Sequence, residues 1–382
     1  MKRTPCAAVA AMAALSAILP SALSAADYYV DTNGDDANDG LSAETPFATI
    51  DKAVITATSA DDVIHVAAGE YLTGYPDYVA QTDNAKWGPN LKAKLVGTGE
   101  TRDAVVISSH GEYRTLRMAA GSWLENVTVV GEGTWKADKG GAIEISGGTV
   151  TNCVIRDGTA TASGNTEGGN LYVNNTAALV VDCEIHGGKA KKRGGNVYLD
   201  KGMVRDCIIR DGVCDGNIGG NVYQYQGTLS HCIITGGKAT NDGGNVRMNG
   251  SGVMEDCVIS GGVVTANEKK GANVYMDSSA KMSRCHLVGG SSEAGYDAGS
   301  LCVYSASAAS KTASSPAANA AASFSAPQAT STTARSPTTG NTASGPGRRR
   351  STCTTSSFSA TPRMVPPGTG PATSRRPPRR TS

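Results

Sequence analysis

A short phrase recurs along the middle of this chain: paired small residues followed by asparagine. It stands at Gly168-Gly169-Asn170, Gly194-Gly195-Asn196, Gly219-Gly220-Asn221, Gly243-Gly244-Asn245 and Gly271-Ala272-Asn273, in steps of 26, 25, 24 and 28 residues. A cysteine follows each at nearly constant distance, at Cys183, Cys207, Cys232, Cys257 and Cys285, and Cys153 belongs to an earlier copy that begins at Gly140. A start resembling a further copy lies at Gly299. A fixed period in this range means a solenoid or array. Units this short cannot bury a face alone, so successive copies must stack and share a core.

Inside a unit the apolar spacing is two. Val197 and Leu199, then Cys207 and Ile209, point one way, and Tyr198, Ile208 and Arg210 point the other. These are short strands, with Gly202 and Gly212 expected to mark corners. The 47 glycines and only 3 phenylalanines fit frequent turns better than a compact aromatic core. Stacked coils would lie about 4.8 Å apart, so Asn170, Asn196, Asn221, Asn245 and Asn273 would form an amide ladder, each donating to the next.

Two chemical readings of the repeat fail. A phosphate loop needs a helix after the glycines, and here a Val-Tyr type strand follows. A coil that starts at Trp123 carries Val127 where Cys207 sits in its own coil, so the Cys153, Cys183, Cys207, Cys232, Cys257 and Cys285 column is an apolar seat occupied by buried free thiols. A disulfide framework is the alternative in an exported chain, with Cys214 free to pair off the column. Zinc is disfavoured because His231 and His286 adjoin Cys232 and Cys285 without any CxxC pair.

The ends differ from the middle. Lys2 and Arg3, the apolar run from Ala7 to Leu19 and the small residues before Asp27 read as an export signal over 1–26, too short to span a bilayer. A secreted or cell-surface protein is expected, with no transmembrane segment after cleavage. Residues from Lys311 to Ser382 hold ten of the Lys and Arg and no Asp or Glu, which leaves 25 basic against 34 acidic side chains before them. The net charge of +1 therefore averages two unlike halves, and nothing in it implies a nucleic-acid partner. Residues 309–382 contain no Leu or Ile, so the 306–382 segment should be disordered. It reads either as a Ser/Thr/Pro stalk or as an out-of-frame product, and the abrupt change inside a coil favours the second.

The stretch with Tyr28-Tyr29-Val30, Asp35, Gly40, Pro46-Phe47, Thr49-Ile50, Ala53 and Gly69-Glu70-Tyr71 resembles the amino-terminal cap of right-handed parallel β-helix proteins, the pectate-lyase-like superfamily. Asp61-Asp62 stands where that pattern has Gly-Asp. Independently, Ile50, Ala53, Val54 and Ala57 form an apolar stripe at helical spacing, with Thr49 as N-cap, suited to plug the open end of a solenoid. The expected architecture is all-β: a right-handed parallel β-helix over 27–305, with cap and first coil at 27–71, irregular coils at 72–139 and regular coils at 140–305. The resemblance implies either a polysaccharide-active enzyme or a non-catalytic repeat protein, since fold alone does not fix function.

Three sets of residues are candidates for function. Arg156, His186 and Arg210 occupy equivalent positions three residues after the cysteine, flanked by Asp157 and Asp211, as a lyase base and its neighbours would need. Ordinary outward ion pairs at corners explain the same pattern. Tyr172, Tyr198, Tyr223 and Tyr275, with Arg247 between the last two, form an outward column that could stack on sugars or simply shield the ladder. Asp31, Asn33 and Asp35 alternate as in a calcium loop, but Asp36 replaces the required glycine, so an Asx-rich turn is the competing reading. The expectation is an exported β-helix with a repetitive surface for a polysaccharide or cell-surface glycan and no required cofactor. The alternative is a lyase or hydrolase on an acidic polysaccharide.

Overall fold

Each regular coil is built from four short strands. In the coil that begins at Gly194 they are Val197–Leu199, Met203–Arg205, Ile208–Arg210 and Val213–Cys214. Every one pairs in parallel with its counterparts in the coils before and after: Tyr198 lies beside Tyr172 and Tyr223, and Ile209 beside Ile185 and Ile234. The chain is a parallel β-helix, seen in a computed structural model that describes residues 25–75, 78, 88–109, 114–131, 138–164, 166–295 and 298–304, with short strands at 309–312 and 352–354. The export segment lies almost wholly outside the described residues.

Four faces result. Face 1 holds the strands that follow the asparagines, face 2 those before the cysteines, face 3 those after them, and face 4 the two-residue strands such as Val213–Cys214. The strand alternation turns Val197, Leu199, Val204, Cys207, Ile209 and Cys214 inward, and each is at most 1% exposed. Burying an aliphatic side chain of this size stabilises by roughly 1.5–3 kcal/mol before chain entropy is counted.

The asparagines stand at the corner between face 4 and face 1, all fully buried. Nδ2 of Asn170 donates to Oδ1 of Asn196 at 2.8 Å, Asn196 to Asn221 at 2.7 Å, and Asn221 to Asn245 and Asn245 to Asn273 at 2.8 Å each. Asn273 closes the series on the Ser300 hydroxyl at 2.8 Å. The second N–H of each amide also has an acceptor, such as the Arg210 carbonyl for Asn196 and the Thr235 carbonyl for Asn221. Each Oδ1 takes a further backbone N–H, that of Gly212 for Asn221. No ladder amide is left with an unpaired polar atom, which a buried carboxamide requires.

This explains one glycine differently from the sequence reading. Gly202 does turn a corner, at φ +87°. Gly212 does not adopt a left-handed conformation; a Cβ there would sit 2.6 Å from the Gly220 carbonyl oxygen and 2.7 Å from both Asn196 Nδ2 and Asn221 Oδ1. Its constraint is contact with the ladder. Left-handed residues turn the other corners of this coil: glycine at Gly194 and Gly219, with φ +64° and +72°, and aspartate at Asp206 and Asp211, with φ +54° and +57°. The face 2 to face 3 corner repeats this conformation at Asn126, Asn152, Asp182, Asp206, His231, Asp256 and Arg284. Asn and Asp tolerate it best.

The amino-terminal end is closed as the sequence suggests. Strand β1 (Asp27–Val30) leads to helix α1 (Ile50–Thr56), then to β2 (Val63–Val66) and β3 (Gly69–Thr73). Thr49 caps α1 by accepting the Lys52 N–H, and Ile50, Ala53, Val54 and Ala57 are buried in the core. A fully buried arginine braces the early coils: Arg114 donates to the Gly140 carbonyl at 2.7 Å and to Glu144 at 2.7 Å.

Among the described residues, two short strands lie in the 306–382 segment. Ala309–Thr312 pairs with Lys281–Val288, and Thr352–Thr354 pairs antiparallel with Leu301–Val303. The rest of that segment lies outside the described residues.

Replacing Asn221 by Ala would strand the Gly212 N–H and one N–H of Asn196 in the core. A loss of about 2–5 kcal/mol is expected, read as a lower denaturation midpoint, and Gly212→Ala should also lower it although its backbone conformation suits alanine.

Candidate functional site

Because stacking is in register, a side chain chosen once per coil becomes a column. On face 3 one outward column runs Val130, Arg156, His186, Arg210, Thr235, Ser260 and Val288. The neighbouring column, two residues earlier, runs Thr128, Val154, Glu184, Ile208, Ile233, Val258 and His286. The structure therefore brings Arg156, His186 and Arg210 onto consecutive rungs.

It also ties both arginines to carboxylates. Arg210 Nη2 meets Glu184 Oε1 at 2.6 Å and its Nη1 meets Asp211 at 2.8 Å, while Arg156 Nη1 meets Asp157 at 2.6 Å. Arg102 reaches the other Glu184 oxygen at 3.4 Å. The hydrogen bond from Arg210 holds the Glu184 carboxyl below the usual range. Burial, with the Arg210 charge adding to it, lowers the His186 pKa and favours its neutral form. A neutral imidazole between two ion-paired arginines can accept a proton and can equally hold a sugar hydroxyl. Glu184 and Arg102 were not singled out from the sequence; Glu184 stands where later coils carry Ile208 and Ile233.

Below this polar end the face becomes apolar. Ile208 is 42% exposed, Ile233 49% and Val258 43%, one above another. Thr235 and Ser260 stand beside them, and the Ser260 hydroxyl donates to that of Thr235 at 3.2 Å. An aliphatic stripe next to a hydroxyl stripe is amphipathic across its width.

The tyrosine column sits on face 1, outside the main core, but it is not open. Tyr172, Tyr198, Tyr223 and Tyr275 are only 3–7% exposed. Tyr172 stacks on Tyr198 with centroids 5.2 Å apart, and Tyr198 on Tyr223 at 5.1 Å. Where the next rung carries Arg247, its guanidinium lies 4.1 Å from the Tyr275 centroid. A planar cation thus continues the stack. Lys139 lies 4.5 Å from the Tyr172 ring centroid and donates to its hydroxyl at 3.1 Å, and Arg193 lies over Tyr223 at 5.4 Å. The ring faces are occupied by one another and by cations, so a sugar cannot lie flat on them without displacing these contacts.

The remaining sequence candidates have local partners. Asp31 accepts the Asn33 backbone N–H at 2.8 Å and its side-chain amide at 3.1 Å, and Asp35 accepts the Ala37 N–H at 2.9 Å, which are Asx turns. Among the described residues no cluster of three or more His, Cys, Asp or Glu side chains is placed to hold a metal. The column thiols are free and buried, each Sγ directed at the carbonyl two residues earlier, as from Cys207 to Arg205 at 3.1 Å. Cys214 has Ala190 and Ala239 as its rung neighbours, so no cysteine stacks on it. Burial pushes its thiol up to about 12 and that of Cys183 well up also.

Residues 32–77 match a family model described as a protein of unknown function, DUF1565, which covers the cap from the Asx-rich turn through β3. Comparison with curated proteins finds no match. Among solved structures the chain is similar to a pectin methylesterase from carrot, at 13% identity and a TM-score of 0.38 over 73% of this chain and 88% of that one. It is similar to a rhamnogalacturonan lyase at 12% identity and a TM-score of 0.33, covering 69% of this chain and 75% of that one. Pectin methylesterase PemA from Erwinia chrysanthemi matches at 14% identity and a TM-score of 0.29, over 74% and 68%. No residue role is carried over from these proteins.

With Cys6 and Cys353 replaced by Ser, the remaining thiols should resist an alkylating reagent at pH 8 and react fully after denaturation, because burial keeps them out of reach. Rapid labelling of the native chain, followed by mass spectrometry, would contradict this reading.

Proposed function

We propose that this parallel β-helix repeat protein is exported and displays a repetitive surface that binds a polysaccharide or cell-surface glycan without transforming it. The observation that carries the reading is the amphipathic pair of columns on face 3. Exposed Ile208, Ile233 and Val258 offer an aliphatic surface to the C–H faces of sugars, and Thr235, Ser260, Arg210 and His186 offer hydrogen-bond partners beside it. The exposed aliphatic patch is small, and a patch of this kind suits a narrow ligand better than a large protein interface, which needs about 1,200 Å² or more. A chain of sugars laid along the solenoid axis would meet the same pair of chemistries at each rung, about 4.8 Å apart.

The tyrosines of face 1 enter this reading through their polar edges rather than their ring faces. Tyr172 and Tyr223 hydroxyls already contact Lys139 and Asn249, so a glycan there would join an existing network. Face 3 is the better first contact.

Action on an acidic polysaccharide is the second reading, favoured by Arg156, His186 and Arg210 on consecutive rungs with His186 held neutral. Its charge balance is less favourable, since Asp157, Asp211 and Glu184 already neutralise the arginines.

Two measurements separate the readings. On an array of immobilised polysaccharides, Ile233→Asp should cut retention about tenfold or more, whereas Tyr198→Ala should alter thermal stability more than retention; absence of any retained glycan would sink the binding role. Incubation with uronate polymers should yield no unsaturated product, and its appearance, lost on His186→Ala, would instead establish the lyase.

A further inference from the structure

The amino-terminal cap contains a buried carboxylate that the glycan-binding reading does not use. Asp51, in the first turn of α1, is 2% exposed. Its Oδ1 and Oδ2 accept the Gly74 N–H at 3.0 and 3.1 Å, and the Tyr75 N–H is also directed at it. Gly74 is the residue at which the chain leaves β3, and its φ of +83° turns it away from the coil. A single side chain therefore fastens the capping helix to the exit of the first coil.

A second carboxylate stands close by. Asp36 accepts the backbone N–H groups of Ala48 and Thr49 at 2.9 Å each, the Thr49 hydroxyl at 2.7 Å and the Tyr78 hydroxyl at 2.7 Å. Asp36 thus fixes the start of α1 from the preceding loop, while Asp51 fixes it to the Gly74 turn at the end of β3. The titratable groups facing Asp51 are Asp36 from that loop and Tyr78 from the segment after β3. On α1 itself Lys52 lies over the Phe47 ring, 5.7 Å from its centroid. Among the described residues no basic side chain forms an ion pair with Asp51.

We propose that these two carboxylates make the cap a proton-dependent latch: with a proton on Asp51 the helix is seated on the first coil, and ionisation of Asp51 loosens α1 and the Gly74 turn. The physical reason is that an uncompensated buried charge is costly, and a second negative charge nearby adds to that cost. Burial, with the Asp36 charge adding to it, raises the Asp51 carboxyl to about 7 against the opposing pull of the Gly74 and Tyr75 N–H groups. An aspartate in the unfolded chain titrates near about 3.9. Between about 4 and 7 the folded cap therefore holds a proton that the unfolded chain has released. Stability from this group is full at the acid end, falls as pH rises through that window, and stays low above it. The inference is independent of what the faces bind.

The full chain, labelled with ¹⁵N-glycine, tests it. The Gly74 amide shift should titrate with a midpoint near 7, the transition should vanish in Asp51→Asn, and Asp36→Asn should lower its midpoint by removing the like charge. Denaturation midpoints of the unmodified chain should fall from pH 5 to pH 8, with the folding constant changing by up to roughly tenfold per pH unit relative to Asp51→Asn. A Gly74 transition near pH 4, or one indifferent to Asp36→Asn, would overturn the proposal. Should Asp51→Asn fail to fold, the titration of the unmodified chain and of Asp36→Asn decides alone.

Discussion

The in-register stack of asparagine amides is the constraint on which the rest of the β-helix depends. A carboxamide buried at a corner has two donors and two acceptor sites to satisfy, and along the ladder the amides of adjacent rungs partner one another until the Ser300 hydroxyl ends the series. That fixes the rung spacing at a corner where side chains from two faces meet. It also dictates the neighbours. Gly212 must be glycine because the amides of Asn196 and Asn221 occupy the space a Cβ would need, and Asn221 Oδ1 must find the Gly212 N–H where it stands. The repeated Gly-Gly-Asn phrase and the glycine that precedes each face 4 strand are two halves of one packing requirement.

A ladder of identical amides does not by itself say which coil lies on which, since any two would fit. Charges supply part of that choice. Glu167 accepts Arg193 at 2.7 Å and lies 3.6 Å from Lys139, one coil on either side. Glu184 is shared between Arg102 and Arg210, and Arg284 spans back to Glu255 and Asp256. The exposed pairs among them, such as Arg284 with Glu255, contribute little to stability. Placed between coils, they are lost when the stack slips by one coil, where Glu184 would no longer face Arg210.

The faces differ in what they leave available. Face 1 covers its aromatic column with stacked rings and cations, and Arg247 interrupts the tyrosines without interrupting the stack. Face 3 leaves Ile208, Ile233 and Val258 open. The difference lies in side-chain size: rings about 5 Å apart fill the rung spacing and shield each other, while branched aliphatic side chains on adjacent rungs cannot. Tyrosine on a stacked sheet is thus a structural residue by default, and the smaller column beside the arginines is the surface a ligand would reach.

Much of the architecture was legible in the order of residues, because the period, the alternation of two and the asparagine and cysteine spacings are local quantities that stacking merely repeats. The same holds for α1, whose Thr49 cap and Ile50, Ala53, Val54 and Ala57 stripe are written in consecutive residues. Three things were decided only by the tertiary structure. Whether an outward tyrosine is exposed depends on neighbours a full coil away, 26 residues before Tyr198 and 25 after it. Whether a glycine serves its own turn or the space of its neighbours depends on what crowds it, which separates Gly202, at φ +87°, from Gly212 against the ladder. The environment of Asp51 required α1, β3 and the Asp36 loop to be brought together; in the sequence it is one more acidic residue in an acidic stretch, and only burial changes its chemistry.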